Sequence, residues 1–293
     1  MTRAQYFAWR GASLAVPALP SPADGAIARL VGALAYAGAP NARAAVRANL
    51  EVVAPALSRS ERELLVRRAF VNQARNYLTT LRLPRMRREI ERARVSVEGW
   101  PNIEAARAGG KGVVLASAHF GPLPLVGAVA LATYRLEVSV VAEAIPPKLF
   151  ELLNRNLRGA LGASFVPATQ IRTLLRVLRN GGIIAILADR PVAGAAMRVK
   201  FFGRPALLPV GHVQIAAHSG ASLVPAFTLP GTVPAARVCE PLTLVAGRDD
   251  EATLENLRRW VATLEPVIAS APDEWHVFER IWADGSDSDG RAR

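Results

Sequence analysis

At 293 residues, 51% of them hydrophobic, the chain can bury a sizeable core as one large domain, with or without an amino-terminal extension. The excess of 36 Lys and Arg over 24 Asp and Glu, a net charge of +12, calls for acidic partners. With no nucleic-acid motif or aromatic-interleaved basic run, nucleic acid is set aside in favour of an anionic membrane face or an acidic carrier protein. A single cysteine, Cys239, excludes an intramolecular disulfide framework and a cysteine-built metal site, and suits a reducing compartment. No charge-free apolar run reaches the roughly 20 residues that span a bilayer, and no secretory signal is read.

Residues 1–56 are rich in Ala, Arg and Pro, and helices are predicted over Arg3–Val16, Ala23–Gly38 and Ala42–Val53. Tyr6, Phe7, Trp9, Leu14 and Val16 give the first an aromatic-apolar side with Arg3 and Arg10 beside it. Packing on the main domain and lying in a membrane interface both bury such a face. Ser60-Glu61-Arg62-Glu63 reads as a capping box, followed by Val66, Phe70, Ala74, Tyr77 and Leu81 at helical spacing and a stop before Leu83-Pro84. The arginines from Arg82 to Arg94, interleaved with Glu89 and Glu91, read as a solvated helix face, with phosphate or headgroup contact as the sharper alternative.

From Val95 the pattern alternates between helix and strand. Asn102–Ala108 is a short helix, Gly112–Ala116 a buried strand, and a second helix opens near Gly121-Pro122. Strands follow at Leu136–Val141, Ser164–Val166 and Ile183–Ala188, with helices at Lys148–Leu161 and around Ile171–Leu178, the latter stopped by Asn180-Gly181-Gly182. Arg198–Phe202 is a strand, Pro209-Val210-Gly211 opens a helix, and Leu223–Phe227 is a core strand. Arg237–Leu244 is expected at a sheet edge, because Pro241 cannot donate to a ladder. A late amphipathic helix carries Leu254, Leu257, Val261, Leu264 and Ile268, and the polar tail 283–293 is expected to be disordered. Helix, glycine stop and apolar strand in repetition predict an α/β fold with a mostly parallel central sheet flanked by helices, preceded by a helical extension.

Of four histidines, His212, His218 and His276 read as structural, whereas His119 sits where a buried strand turns into a helix. Open α/β sheets put their chemistry at that edge. Glu143 and Asp189 follow two other predicted strands and reach the same edge if the sheet is parallel, so either can orient a histidine base. A local ion pair of Asp189 with Arg190 is the plainer alternative. In Phe201-Phe202-Gly203-Arg204-Pro205 an aromatic pair and a basic turn suit an acidic group with an apolar tail, although packing alone also accounts for them. P-loop, G-x-S-x-G, H-E-x-x-H and G-x-G-x-x-G strings are absent.

Taken together, these strings resemble the lysophospholipid acyltransferase superfamily, in its branch of lipid A lauroyl/myristoyl and phosphatidylinositol mannoside acyltransferases. The resemblance runs through Val46-Arg47-Ala48-Asn49-Leu50, Val97-Glu98-Gly99 with His119-Phe120-Gly121, and Arg158 with Gly162. It continues through Ala188-Asp189-Arg190, the Phe201 to Arg204 block, Pro272-Asp273-Glu274-Trp275 and Arg280-Ile281-Trp282. It implies transfer of a fatty acyl group from an acyl-CoA or acyl-carrier-protein thioester to a hydroxyl of a membrane glycolipid or lysolipid, with no metal or prosthetic group. In the family pattern the histidine is a general base, oriented by an acid five residues on. Here that position is Pro124, so Asp189 becomes the first candidate for the orienting acid and His119 remains the base.

Under this reading residues 1–94 form a membrane-associating helical extension, 95–282 the acyltransferase domain and 283–293 the tail. Gly121, Glu143, Arg158, Arg190, Phe202 and Arg204 are the candidate substrate contacts, the arginines for phosphate groups and backbone N–H groups near Gly121 for an oxyanion. Attachment is expected at the cytoplasmic face of the inner membrane, peripherally. The alternative is a non-catalytic lipid-binding relative that lost its histidine–acid pair.

Overall fold

The computed structural model describes residues 10–142, 151, 163–191, 194–231 and 233–282. Glu143, Arg158, nearly all of the predicted helix at Lys148–Leu161 and the tail from residue 283 lie outside the described residues.

The described residues open with a helical stretch at 10–15 and continue as α1 (Asp24–Gly38), α2 (Pro40–Val53) and the long α3 (Arg59–Arg82). The capping box of α3 is Ser58 with Glu61, two residues earlier than the pattern suggested: the Ser58 hydroxyl accepts from the Glu61 amide and Glu61 accepts from the Ser58 amide. Ser60 lies inside the first turn, where its amide has no need of that partner. Helix α1 packs tightly on α3 at Gly32, where a Cβ would stand 2.7 Å from the Val71 Cα. Arg82 is not part of a solvated face, because it is buried against Asp24 and the Leu19 carbonyl. Arg85, Arg87, Arg88, Arg92 and Arg94 are exposed around the short helix α4 (Arg87–Arg92).

The central sheet has seven strands in the order β1-β9-β8-β2-β5-β3-β4. These are β1 (Ser96–Glu98), β2 (Val113–Ser117), β3 (Val138–Ala142), β4 (Ala163–Pro167), β5 (Ile183–Leu187), β8 (Ser222–Leu229) and β9 (Ala235–Val238). Strands β8, β2, β5, β3 and β4 run in one direction, while β9 and β1 run in the other. The expected mostly parallel sheet flanked by helices is therefore what the chain forms. The edge strand expected over Arg237–Leu244 is not formed: β9 lies inside the sheet between β1 and β8 and stops at Val238, so Pro241 falls beyond the ladder.

Helices α5 (Trp100–Ala108) and α6 (Leu123–Tyr134) cover one face. The other face carries α7 (Ile171–Arg179), α8 (Gly211–Ser219) and α9 (Asp250–Ser270), which bury Leu174, Leu178, Val213, Leu257 and Trp260 against Val114, Ala116, Ile184 and Leu223. Strands β6 (Ala196–Phe201) and β7 (Arg204–Pro209) form a separate antiparallel hairpin, so the Phe-Phe-Gly string is a hairpin turn. Phe202 and Gly203 both have positive φ, 47° and 76°, as a two-residue hairpin turn of the right twist requires. Pro205 and Pro209 are tolerated in β7 because only one of its edges is paired.

Candidate active site

Ser117 and Leu187 end β2 and β5 as partners in a parallel register, and the Ala188 amide donates to the Ser117 carbonyl at 2.9 Å. The two chains therefore leave the sheet in step, and the residues two places on, His119 and Asp189, stand side by side. His119 Nδ1 lies 2.8 Å from Asp189 Oδ1, and the His119 amide donates to Asp189 Oδ2 at 3.0 Å. An ionised carboxylate only accepts, so Nδ1 carries the proton in the neutral ring and Nε2 holds the lone pair. The imidazole remains 23% exposed while Asp189 is fully buried.

Burial alone would raise the Asp189 pKa, but attraction to His119 and hydrogen bonds from the His119 ring, the Trp275 indole and the His119 amide bring it below the ordinary value. The indole N–H of Trp275 donates to Oδ2 at 2.8 Å. Behind it, the Trp260 indole donates to the Ala188 carbonyl at 3.1 Å and fixes the end of β5.

The carboxyl-terminal segment 272–282 crosses this site as a strap. Its backbone pairs with the His119 loop: the His276 amide donates to the His119 carbonyl at 2.7 Å, and the Gly121 amide donates to the Glu274 carbonyl at 2.9 Å. Gly121 has φ of 65°, and a Cβ there would meet Thr228 Oγ1 at 2.8 Å, so only glycine fits. Its amide was a candidate oxyanion donor; in this structure it is committed to the strap, and the Phe120 amide is committed to the Ala118 carbonyl. Under the loop, Asn76 Nδ2 donates to the Gly121 carbonyl at 2.9 Å. His276 Nε2 lies 3.7 Å from Glu274 Oε2, yet burial drives the imidazole pKa down to about 4 and the carboxyl pKa up to about 7. Between those values both groups are neutral, so the contact is no ion pair there.

Of the other residues singled out, Arg190 reaches Glu279 of the strap at 2.6 Å rather than Asp189. Phe202 is part-buried; its ring packs on Phe201 and Trp282, and its amide donates to Glu265. Arg204 is exposed on the hairpin. Pro124 is the second residue of α6, where it lines an apolar cavity of about 390 Å³ between α5, α6 and the sheet. Ser117, Leu187 and Thr228 line the end of that cavity near His119, and Leu115, Ala185, Val140 and Phe165 continue it across the sheet. Its lining is almost wholly hydrocarbon. Among the described residues no group of three or more His, Cys, Asp or Glu is placed to hold a metal ion, and no helix is long and apolar enough to cross a membrane.

Residues 2–284 match the family described as bacterial lipid A biosynthesis acyltransferase. The chain belongs to that family. It is thus a member of a family of acyltransferases. Phosphatidylinositol mannoside acyltransferase of Mycobacterium tuberculosis is 28% identical over 218 residues, covering 72% of this chain and 66% of that protein. The enzyme of the same name from Mycolicibacterium smegmatis is 26% identical over 235 residues, covering 78% of this chain and 76% of that protein. Among solved structures, the 1-acyl-sn-glycerophosphate acyltransferase PlsC of Thermotoga maritima is similar at 14% identity with a TM-score of 0.39, covering 85% of this chain and 96% of that one.

Within this family member, two residues escaped the sequence reading as parts of the site. Trp275 enters the sequence pattern only as part of the closing Pro272–Trp275 string, and its hydrogen bond to Asp189 spans 86 positions that no local pattern connects. Asn49 is buried in α2, with its side chain donating to the Glu279 carbonyl and accepting from the Ile281 amide. A polar residue inside an apolar helix face was the available signal.

Proposed function

We propose that this protein transfers a fatty acyl group from an acyl-CoA or acyl-carrier-protein thioester to a hydroxyl of a membrane glycolipid or lysolipid. The acceptor oxygen attacks the thioester carbonyl carbon as His119 Nε2 takes its proton. The tetrahedral intermediate then expels the thiolate, which leaves as thiol with that proton. Asp189 holds the ring in the tautomer that presents Nε2 and stabilises the imidazolium formed in passing.

The observation that carries the reading is the His119–Asp189 pair at the end of two adjacent parallel strands, beside an apolar cavity of about 390 Å³. Such a volume exceeds the roughly 150 Å³ apolar cavity that accepts benzene, and a hydrocarbon lining suits an acyl chain. The names of the mycobacterial relatives favour a glycosylated phospholipid as acceptor. Pro124 is the observation behind the non-catalytic reading, but an acid from the loop after β5 within hydrogen-bond distance of Nδ1 supports catalysis without it. Attachment is peripheral, through the amino-terminal helices, to an anionic cytoplasmic membrane face. No metal or prosthetic group takes part.

The test is acyl transfer from a long-chain acyl-CoA, and separately from an acyl carrier protein, to phosphatidylinositol mannoside or lysophosphatidate in vesicles, followed by mass spectrometry. Wild type should form the acylated lipid, and His119→Ala should lose about 10²–10⁴-fold while remaining folded. No product from either donor, or full activity of His119→Ala, defeats the reading.

A further inference from the structure

We propose that Trp275 is a positioning residue for the transfer, its indole N–H holding Oδ2 of Asp189 so that Oδ1 is aimed at His119 Nδ1. This rests on the acyl-transfer reading above and deepens it. Asp189 leaves β5 on a loop, and its carboxylate has two torsions to fix. The His119 amide restrains Oδ2 only relative to the loop whose ring is to be oriented. The indole approaches from a third segment of chain, at 2.8 Å, and makes Oδ2 a doubly held oxygen while Oδ1 serves the imidazole.

The donor is itself immobile. Trp275 is buried, with its ring set edge-on to Phe201 at 6.1 Å and against Trp282 at 6.2 Å. Its backbone bridges to Phe120, and the flanking Glu274 and His276 bond the loop on either side of Phe120. Asn72 donates to the Asp273 carbonyl and Asn49 to the Glu279 carbonyl, tying the strap to α3 and α2. The acid missing at Pro124 is thus supplied by a neighbouring strand and aimed by the carboxyl-terminal strap.

Trp275→Phe in the full chain keeps the ring and removes the N–H. The expected result is a fall in kcat of about 10- to 100-fold with the thioester KM within about twofold. The acid limb of the pH–rate profile should move to higher pH, because a carboxylate relieved of one donor holds the imidazolium more tightly. Trp282→Phe removes an indole N–H that serves the Phe201 carbonyl in the same aromatic cluster, and should leave the limb in place. An unmoved limb in Trp275→Phe, or the same movement in both variants, overturns the proposal.

A second measurement does not depend on turnover. In protein labelled with ¹⁵N-tryptophan, Asp189→Asn should shift one of five indole N–H resonances and speed its exchange with solvent. Five unchanged resonances overturn the proposal even if Trp275→Phe fails to fold. Wild type that lacks acyl transfer overturns the functional reading alone, and the indole measurement still decides whether Trp275 holds Asp189.

Discussion

Asn49 and Glu279 are joined across 230 positions, the side-chain amide of the first donating to the backbone carbonyl of the second at 2.9 Å. The same side chain accepts from the Ile281 amide at 3.2 Å, so one buried residue of α2 closes both ends of a strap turn. Asn49→Leu leaves the part-buried Glu279 carbonyl and the buried Ile281 amide without this partner. A loss of about 1–3 kcal/mol is expected, read as a lower urea midpoint with an unchanged slope. An unchanged midpoint would show that the strap is held by its aromatic contacts alone.

Local pattern reached the helices, the buried strands and the parallel sense of the sheet, because each rests on spacing within a few residues. Gly112 and the Asn180 to Gly182 stop mark β2 and β5 in the sequence, and their common direction put Asp189 on the same edge as His119. The register that makes them neighbours, Ser117 against Leu187, spans 70 positions of the chain and has no local signature. The basic turn after Phe202 is legible in the sequence, but the returning strand β7 is not, because Pro205 and Pro209 within it argue against a strand. The strap escaped for the same reason as the register. Its partners Asn49, Asn72, His119 and Asp189 come from four separate elements.

Stability should rise with pH on the acid side by about one proton's worth. His212 is fully buried in α8, its ring 5.1 Å from that of Trp260, and neither ring nitrogen has a hydrogen-bond partner among the described residues. Burial pushes its pKa from 6.5 down to about 3, and that of His276 to about 4. Below pH 6.5 the unfolded chain binds protons at both that the folded chain refuses, so each weakens the fold as pH falls. Glu274, raised by burial and by Asp273 to about 7, acts oppositely from 4.5 upward, because the folded chain keeps a proton the unfolded chain has lost. Between pH 4.5 and 6.5 the net is one proton, about 1.4 kcal/mol per pH unit. The lowered carboxylates Glu63 and Asp189 act below that window. His212→Phe should flatten the slope in urea titrations at pH 5 and 6.5, and an undiminished slope would exclude His212 as its source.

Membrane attachment should run through α1. Leu30 and Leu34, 62% and 63% exposed, stand one turn apart with Val31 beside them, and Leu14 and Leu19 are exposed in the segment before. Insertion of such a face adds to attraction between the arginines and anionic headgroups, worth about 1 kcal/mol for each basic residue near the surface. Flotation with anionic vesicles should exceed that with neutral ones and weaken with salt. Leu30→Asp combined with Leu34→Asp should abolish what persists at high salt. Binding indifferent to both charge and the double substitution would place the contact elsewhere.

Chain length should be set by the cavity under α6, and Gly127 offers direct access to it. Gly127 lines the cavity in mid-helix, and a Cβ added there meets nothing within 4 Å. Gly127→Ala should therefore stabilise the fold by about 0.5–1 kcal/mol, the usual gain on replacing a helical glycine, with transfer little changed. Gly127→Leu extends into the space proposed for the acyl tail. Burying a methylene is worth about 0.8 kcal/mol, so each methylene displaced should lower kcat/KM for the longest donors by about fourfold, while short donors are spared. Pro124→Glu tests the same wall by charge. Asp189 already occupies His119 Nδ1, so a carboxylate at Pro124 enters a hydrocarbon lining and should penalise long donors without raising activity. Donor profiles across a series of acyl-CoA lengths decide the matter. A uniform fall at every length for Gly127→Leu would mean that the tail lies outside this cavity, and a gain in rate for Pro124→Glu would mean that Asp189 orients the base poorly.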